Sequence, residues 1–207
     1  WTLVVAWLTQ ALRPRGPYPV LVLLGEQGSA KSVTATNLGN MIDPTEADRQ
    51  TAPRDERSLS IWAEHSHLLR LDNLSSIPAW LSDALCRLST GGGSLHRRLY
   101  SDDELEVFRA QRPVIANGIS DFVRFPDLLQ RSIVIYLPRI TSEHRRDETE
   151  IRNDFEQAAP RILGGLFNLL ARAAAYHPVE AGPLPRMADF ARWAHAVEWA
   201  IGWPRGT

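Results

Sequence analysis

Apolar residues in the first two thirds of the chain fall into short dense runs separated by polar turns, and in the last third they change to helical spacing. Val20 to Leu24 is five apolar residues with no polar alternation, the pattern of a strand buried on both faces. His67 to Leu71, Val114 to Ala116 and Ile133 to Leu137 read as three more core strands. Helical patterns are expected over residues 1–12, 32–42, 57–65 and 77–89, with Asp43-Pro44 and Gly91-Gly92-Gly93 as stops. Residues 13–19 are a Pro/Gly-broken connection, and residues 43–56 are mostly loop with room for one short strand. Leu95 to Tyr100 and Leu105 to Phe108 flank the polar Ser101-Asp102-Asp103-Glu104 and predict a β-hairpin. After Pro138 three helices are expected, over 142–155, 160–176 and 187–201. The fold class is therefore α/β: a sheet flanked by helices with an inserted hairpin over residues 1–138, then a helical C-terminal lobe over 139–207.

Composition narrows the compartment more than the chemistry. The 207 residues carry 44% hydrophobic and 23% charged side chains and a net charge of -1, so no overall positive field draws the chain to nucleic acid or to a membrane surface. No apolar run approaches the roughly 20 residues that span a bilayer. Cys86 is the single cysteine, which excludes an intrachain disulfide and fits a reducing cytoplasm. The chain opens on Trp1 without an initiator Met, as expected of a piece of a longer protein.

The most specific chemistry follows the first strand. Gly25-Glu26-Gln27-Gly28-Ser29-Ala30-Lys31-Ser32 lies between a buried strand and a helix, where a phosphate-binding P-loop belongs. Its backbone N–H groups and the helix N-terminus would close on phosphate oxygens. Lys31 would reach the β- and γ-phosphates of ATP, and the Ser32 hydroxyl would ligate Mg2+. Lys31 is the only lysine; the other 22 basic residues are arginines. The usual spacing G-x-x-x-x-G-K-[ST] holds except that Ala30 replaces the second glycine, a change expected to be tolerated if the backbone there is already helical.

Four further residues follow in order. Asp72 ends the second strand and can hold magnesium through water or simply cap the strand. Asn73 stands where a glutamate often polarises the attacking water, so the general base lies elsewhere, with Glu26 and Glu64 as candidates, or turnover is slow. Asn117 ends the third strand, where its amide can orient water at the γ-phosphate or form a turn with Gly118. Phe125-Pro126-Asp127-Leu128-Leu129-Gln130-Arg131 precedes the fourth strand, and Arg131 can either act on a neighbour's ATP or make a surface ion pair.

This order of P-loop, acid-tipped strand, strand-ending Asn and Pro-Asp-Leu-Leu-x-Arg resembles the AAA+ ATPases. Within them the Asp72-Asn73 ending and the hairpin ahead of the Asn117 strand resemble superfamily 3 helicases and the helicase modules of phage, plasmid and poxvirus-type primase-helicases. The resemblance implies Walker A roles for Lys31 and Ser32, Walker B for Asp72, sensor 1 for Asn117 and an arginine finger for Arg131. It implies Arg186 as a lid arginine and a hairpin that lines a pore, where His96, Arg97 and Arg98 would grip single-stranded or forked DNA while the acidic tip opposes them. The implied assembly is a homo-oligomeric ring that drives DNA unwinding for a mobile element. An ATPase acting on protein and a nucleotide-gated oligomerisation switch stay open as alternatives.

Overall fold

The computed structural model describes residues 1–97, 105–119, 121–176, 183–204 and 206, of which 94–97 and 105–108 are described by backbone alone. Four parallel strands form one sheet in the order β2-β5-β1-β6, with β1 at Val20–Leu24, β2 at Leu69–Leu71, β5 at Val114–Gly118 and β6 at Ser132–Tyr136. Gln50 adds an isolated parallel bridge to Leu71, a single residue where the 43–56 loop had room for a short strand. β2 is shorter than its apolar run because the Asp43 carboxylate accepts the His67 and Leu68 N–H groups at 2.9 and 3.1 Å. The antiparallel hairpin of β3 (Gly93–Arg97) and β4 (Leu105–Arg109) stands apart as its own two-stranded sheet.

Strand periodicity divides the core into two layers. Leu21, Leu23, Ile115 and Ile133 point to one face, under α1 (Thr2–Ala11), α2 (Lys31–Asn40), α6 (Glu148–Ala174) and α7 (Ala188–Ile201). Val20, Val22, Leu24, Val114 and Ala116 point to the other, under α3 (Glu56–His65), α4 (Ala79–Thr90) and α5 (Pro126–Leu129). The apolar 125–131 segment thus holds a short helix that periodicity alone did not indicate.

The C-terminal helices do not enclose a core of their own. Leu166 and Ala173 of α6, and Phe190, Trp193 and Val197 of α7, join the cluster built on α1 and the sheet, so the division at residue 138 is one of sequence rather than of packing. Trp193 Nε1 donates to Thr9 Oγ1 at 3.1 Å, and the Arg13 guanidinium lies 4.2 Å from the Trp193 ring, fastening the two ends of the chain.

Two helices expected over 142–155 and 160–176 are one. Residues 142–144 make a 3₁₀ turn, and α6 then runs 27 residues through Pro160. Phe155, Ala159, Leu166, Leu170 and Ala173 form a single stripe against the core, and Pro160 and Glu156 are exposed, so the carbonyl orphaned by proline faces water. Among the described residues no helix is long and apolar enough to cross a membrane.

Candidate functional site

Because all four strands are parallel, their C-terminal ends share one end of the sheet, and the P-loop leaves β1 there. Gly28 has φ 84°, and Ala30, the N-cap of α2, has φ 56° and ψ 29°. Ala30 is therefore left-handed rather than helical. That corrects the reason expected for its tolerance: the alanine carries a strain of about 1–2 kcal/mol that glycine would not. With alanine as N-cap, no side chain caps α2, and its first N–H groups stay open toward an anion. At Gly25 a Cβ would come within 2.5 Å of Ser29 Oγ and 2.6 Å of the Leu137 carbonyl, so the loop requires glycine.

Lys31 is 8% exposed and donates to the Glu26 carbonyl at 2.8 Å and to Ser29 Oγ at 3.4 Å. Burial pulls its ammonium below the usual lysine range, and the Asp72 charge acts against that shift. Among the described residues its hydrogen-bond partners are neutral oxygens, so a phosphate in the loop would be its natural counter-charge. Ser32, one residue on, is half-buried.

Beside the loop, Asn117 joins two neighbouring strand ends. It is 2% exposed; its Nδ2 donates to Asp72 Oδ1 at 2.6 Å, and its Oδ1 accepts from the Asn73 N–H at 3.0 Å. Its carbonyl accepts from the Leu74 N–H at 2.8 Å. This clip fixes one Asp72 oxygen and so the orientation of the carboxylate. The strand continues through Gly118, so Asn117-Gly118 is not a turn; a Cβ at Gly118 would collide with the Leu74 carbonyl and the Phe122 ring. Asn73 has φ 57°, a conformation that asparagine tolerates better than glutamate. Among the described residues no three His, Cys, Asp or Glu side chains gather as a metal cluster. Mg2+ held by Ser32 and Asp72 would take its other ligands from nucleotide and water.

Of the two base candidates, Glu26 is an exposed residue of the loop itself. Glu64 is exposed near the end of α3, ahead of β2, and so lies toward the N-terminal ends of the strands, away from the loop.

The chain after β6 contributes a residue that the sequence reading did not name. Leu137 N–H donates to the Leu24 carbonyl at 2.7 Å and Ile140 N–H to the Gly28 carbonyl at 3.1 Å, laying 137–140 along the loop. Arg145 Nη2 then lies 3.5 Å from where a Cβ on Gly28 would sit. Arg146 is paired with Glu150 and Asp154 at 2.7 and 2.5 Å, whereas the Arg145 guanidinium has no partner among the described residues. No motif spacing marks Arg145 among 22 arginines; only the return of the chain over the loop does.

Arg131 and Arg186 lie at the other end of the sheet. The Arg131 carbonyl accepts from the N–H of Val20, the first residue of β1, at 2.9 Å. Arg131 pairs with Asp127, and Arg186 pairs with the same Oδ1 at 2.7 Å while donating to Gln130 Oε1 at 2.9 Å. The lid position expected for Arg186, over its own phosphates, is corrected: it is held beside Arg131, a full strand length from the loop. The hairpin also springs from this end, since its base is tied through Arg112 N–H to the Leu88 carbonyl at 3.0 Å. His96 pairs with Glu106 and Arg97 with Leu105 along the hairpin; Arg98 and the acidic tip lie outside the described residues.

The solved structures with similar folds include two apo structures of the NrS-1 C-terminal region. One has TM-score 0.56 at 14% identity, covering 97% of this chain and 46% of that one. The other has TM-score 0.55 at 15% identity, covering 79% and 40%. The chain thus spans less than half the length of the NrS-1 chains that it matches, and the likeness is one of fold. NtrX from Brucella abortus, in complex with ADP, gives TM-score 0.42 at 14% identity over 97% of this chain and 51% of that one, too distant to support an argument. A comparison with curated proteins found no match. The model of the actinomycete integrative conjugative element replication proteins matches residues 1–204, essentially the whole chain, and the chain belongs to that family.

Proposed function

We propose that this replication protein is an ATP-binding and ATP-hydrolysing motor of AAA+ type, working as a ring-forming helicase module on single-stranded or forked DNA. The observation that carries the reading is the grouping of the buried Lys31, at the mouth of the P-loop, with the Asp72–Asn117 clip at one end of a parallel sheet. Lys31 and the open α2 N-terminus hold the β- and γ-phosphates. Ser32 and Asp72 would hold magnesium, which would supply positive charge against the phosphates. Asn117 keeps Asp72 oriented and directs water toward the γ-phosphate. Arg145 adds a positive charge from the same subunit. Arg131, facing away from its own loop, supplies one to a neighbouring copy, which makes the active unit an oligomer. His96, Arg97 and Arg98 on the hairpin contact DNA phosphates.

Asn73 favours a second reading. An amide there cannot take a proton from water, which leaves Glu26 as the remaining carboxylate candidate and favours slow turnover, as in a nucleotide-gated assembly switch. Measuring ATP turnover with and without single-stranded DNA separates the readings. DNA-stimulated turnover supports the motor, and nucleotide-dependent assembly without turnover supports the switch. Stimulation by protein and not by DNA would point to a remodelling ATPase instead.

A further inference from the structure

Asp127 draws in two arginines that are 55 residues apart in sequence. Its carboxylate is held well below the usual range, first by the hydrogen bond from Arg131 and also by the Cys86 thiol and the Arg186 charge. Cys86 is buried beneath it, and burial followed by Asp127 pushes that thiol up to about 11, so it stays a neutral donor. One carboxylate against two guanidiniums leaves the trio with a net charge of +1. Arg186 and Asp127 are about half exposed and Arg131 is 15% exposed, so Arg186 carries most of the charge that faces outward, with the Arg131 tip beside it.

Both arginines have rigid supports. Arg131 leads into β6 and hydrogen-bonds back to the α5 carbonyl of Asp127 at 3.0 Å. Arg186 precedes the buried Met187, where α7 starts on the opposite layer of the core. Its side chain therefore passes around the edge strand β6 to meet α5. Neither arginine can serve its own P-loop, because β1 alone puts about 16 Å between the two ends of the sheet. An anion that uses this pair must arrive on another molecule.

We propose that Arg186 is a second trans-acting arginine, presented with Arg131 on the shared Asp127 carboxylate to the phosphates held by a neighbouring copy of this chain. The inference rests on the ring reading above and adds to it a residue, a charge and a holder. Two guanidiniums spread over several phosphate oxygens stabilise developing charge better than one, and guanidinium geometry is suited to that contact. Asp127 keeps the pair oriented in the free subunit.

The test is subunit mixing with ATP turnover as the readout. Arg131→Ala is expected to lose on the order of a thousandfold in turnover, and Arg186→Ala about tenfold or more, each binding ATP as wild type does. Mixing either with Lys31→Ala should restore turnover, because some interfaces then pair an intact loop with intact arginines. Arg186→Lys should retain part of the activity. If Arg131→Ala is impaired and rescued while Arg186→Ala is fully active, or is impaired and not rescued, Arg186 is only a clasp between layers and the inference fails. If Arg131→Ala itself is unimpaired, or is not rescued, the ring reading fails beneath it. Arg186→Gln, which keeps a hydrogen bond to Asp127, carries the same test should the alanine variant not fold.

Discussion

At the C-terminal ends of the strands a lysine almost sealed from solvent meets only neutral oxygens, whereas at the N-terminal ends two arginines close on one carboxylate. The first arrangement would gain from an added anion, since a buried charge is costly until it is paired. The second is already paired, with Arg131 mostly covered and Arg186 half exposed, and keeps a surplus positive charge facing outward. In the proposed assembly a receiving end and a presenting end complement each other when copies meet head to tail, which gives a ring where the rotation closes. The hairpin leaves from the presenting end, so the DNA contacts proposed for it are separated from the phosphates by the thickness of the sheet.

The comparison breaks most sharply at Asp72. Asp72→Asn keeps a partner for Asn117 but removes the charge, and is expected to abolish magnesium-dependent turnover with an almost unchanged melting temperature. Asp72→Ala should lose both, because the buried Asn117 amide is left without its acceptor at a cost of about 1–3 kcal/mol. Equal stability of the two variants would show that the clip contributes nothing to the fold.

A smaller effect is expected at Arg145. Arg145→Ala should weaken ATP binding about tenfold, the scale of one charge-assisted hydrogen bond. It should leave stability intact, because the guanidinium has no partner to lose among the described residues. Arg146→Ala, in which the paired neighbour is removed, should leave ATP affinity alone. If Arg146 matters and Arg145 does not, the reading of the receiving end is wrong on the residue that the sequence did not reveal.

The smallest effect sharpens the P-loop itself. Ala30→Gly should stabilise the protein by about 0.5–1 kcal/mol, the left-handed strain relieved less the added freedom of glycine in the unfolded chain. Thermal denaturation measures it; a loss of stability would mean that the loop is not strained at Ala30.

Local signals made much of this legible. The P-loop, the acid-tipped strand and the strand-ending Asn117 are short patterns whose chemistry requires a strand end, and four of the apolar runs are the four parallel strands. What stayed hidden depends on long-range packing. Pro160 reads as a helix break until the stripe from Phe155 to Ala173 is seen to lie on one core. Residues 139–207 read as a separate lobe because nothing local shows Trp193 meeting Thr9. Arg145 lies beside Gly28 and Arg186 does not for a similar reason: one arginine among 22 carries no positional signal, and only the path of the chain after β6 decides which one returns to the loop. The left-handed turn at Ala30 was hidden by the residue itself, since alanine reads as a helix former.

The most direct test of the central claim is calorimetric titration of Mg-ATP into the wild-type chain and into Lys31→Ala. Wild type should bind saturably, and the variant should lose binding by more than about a hundredfold, since no other lysine is present and arginine does not fit the loop. Without nucleotide the variant should be as stable as wild type or more so, because the lowered lysine pKa marks a charge that the fold disfavours. Mg-ATP binding of equal strength in both proteins would contradict the account.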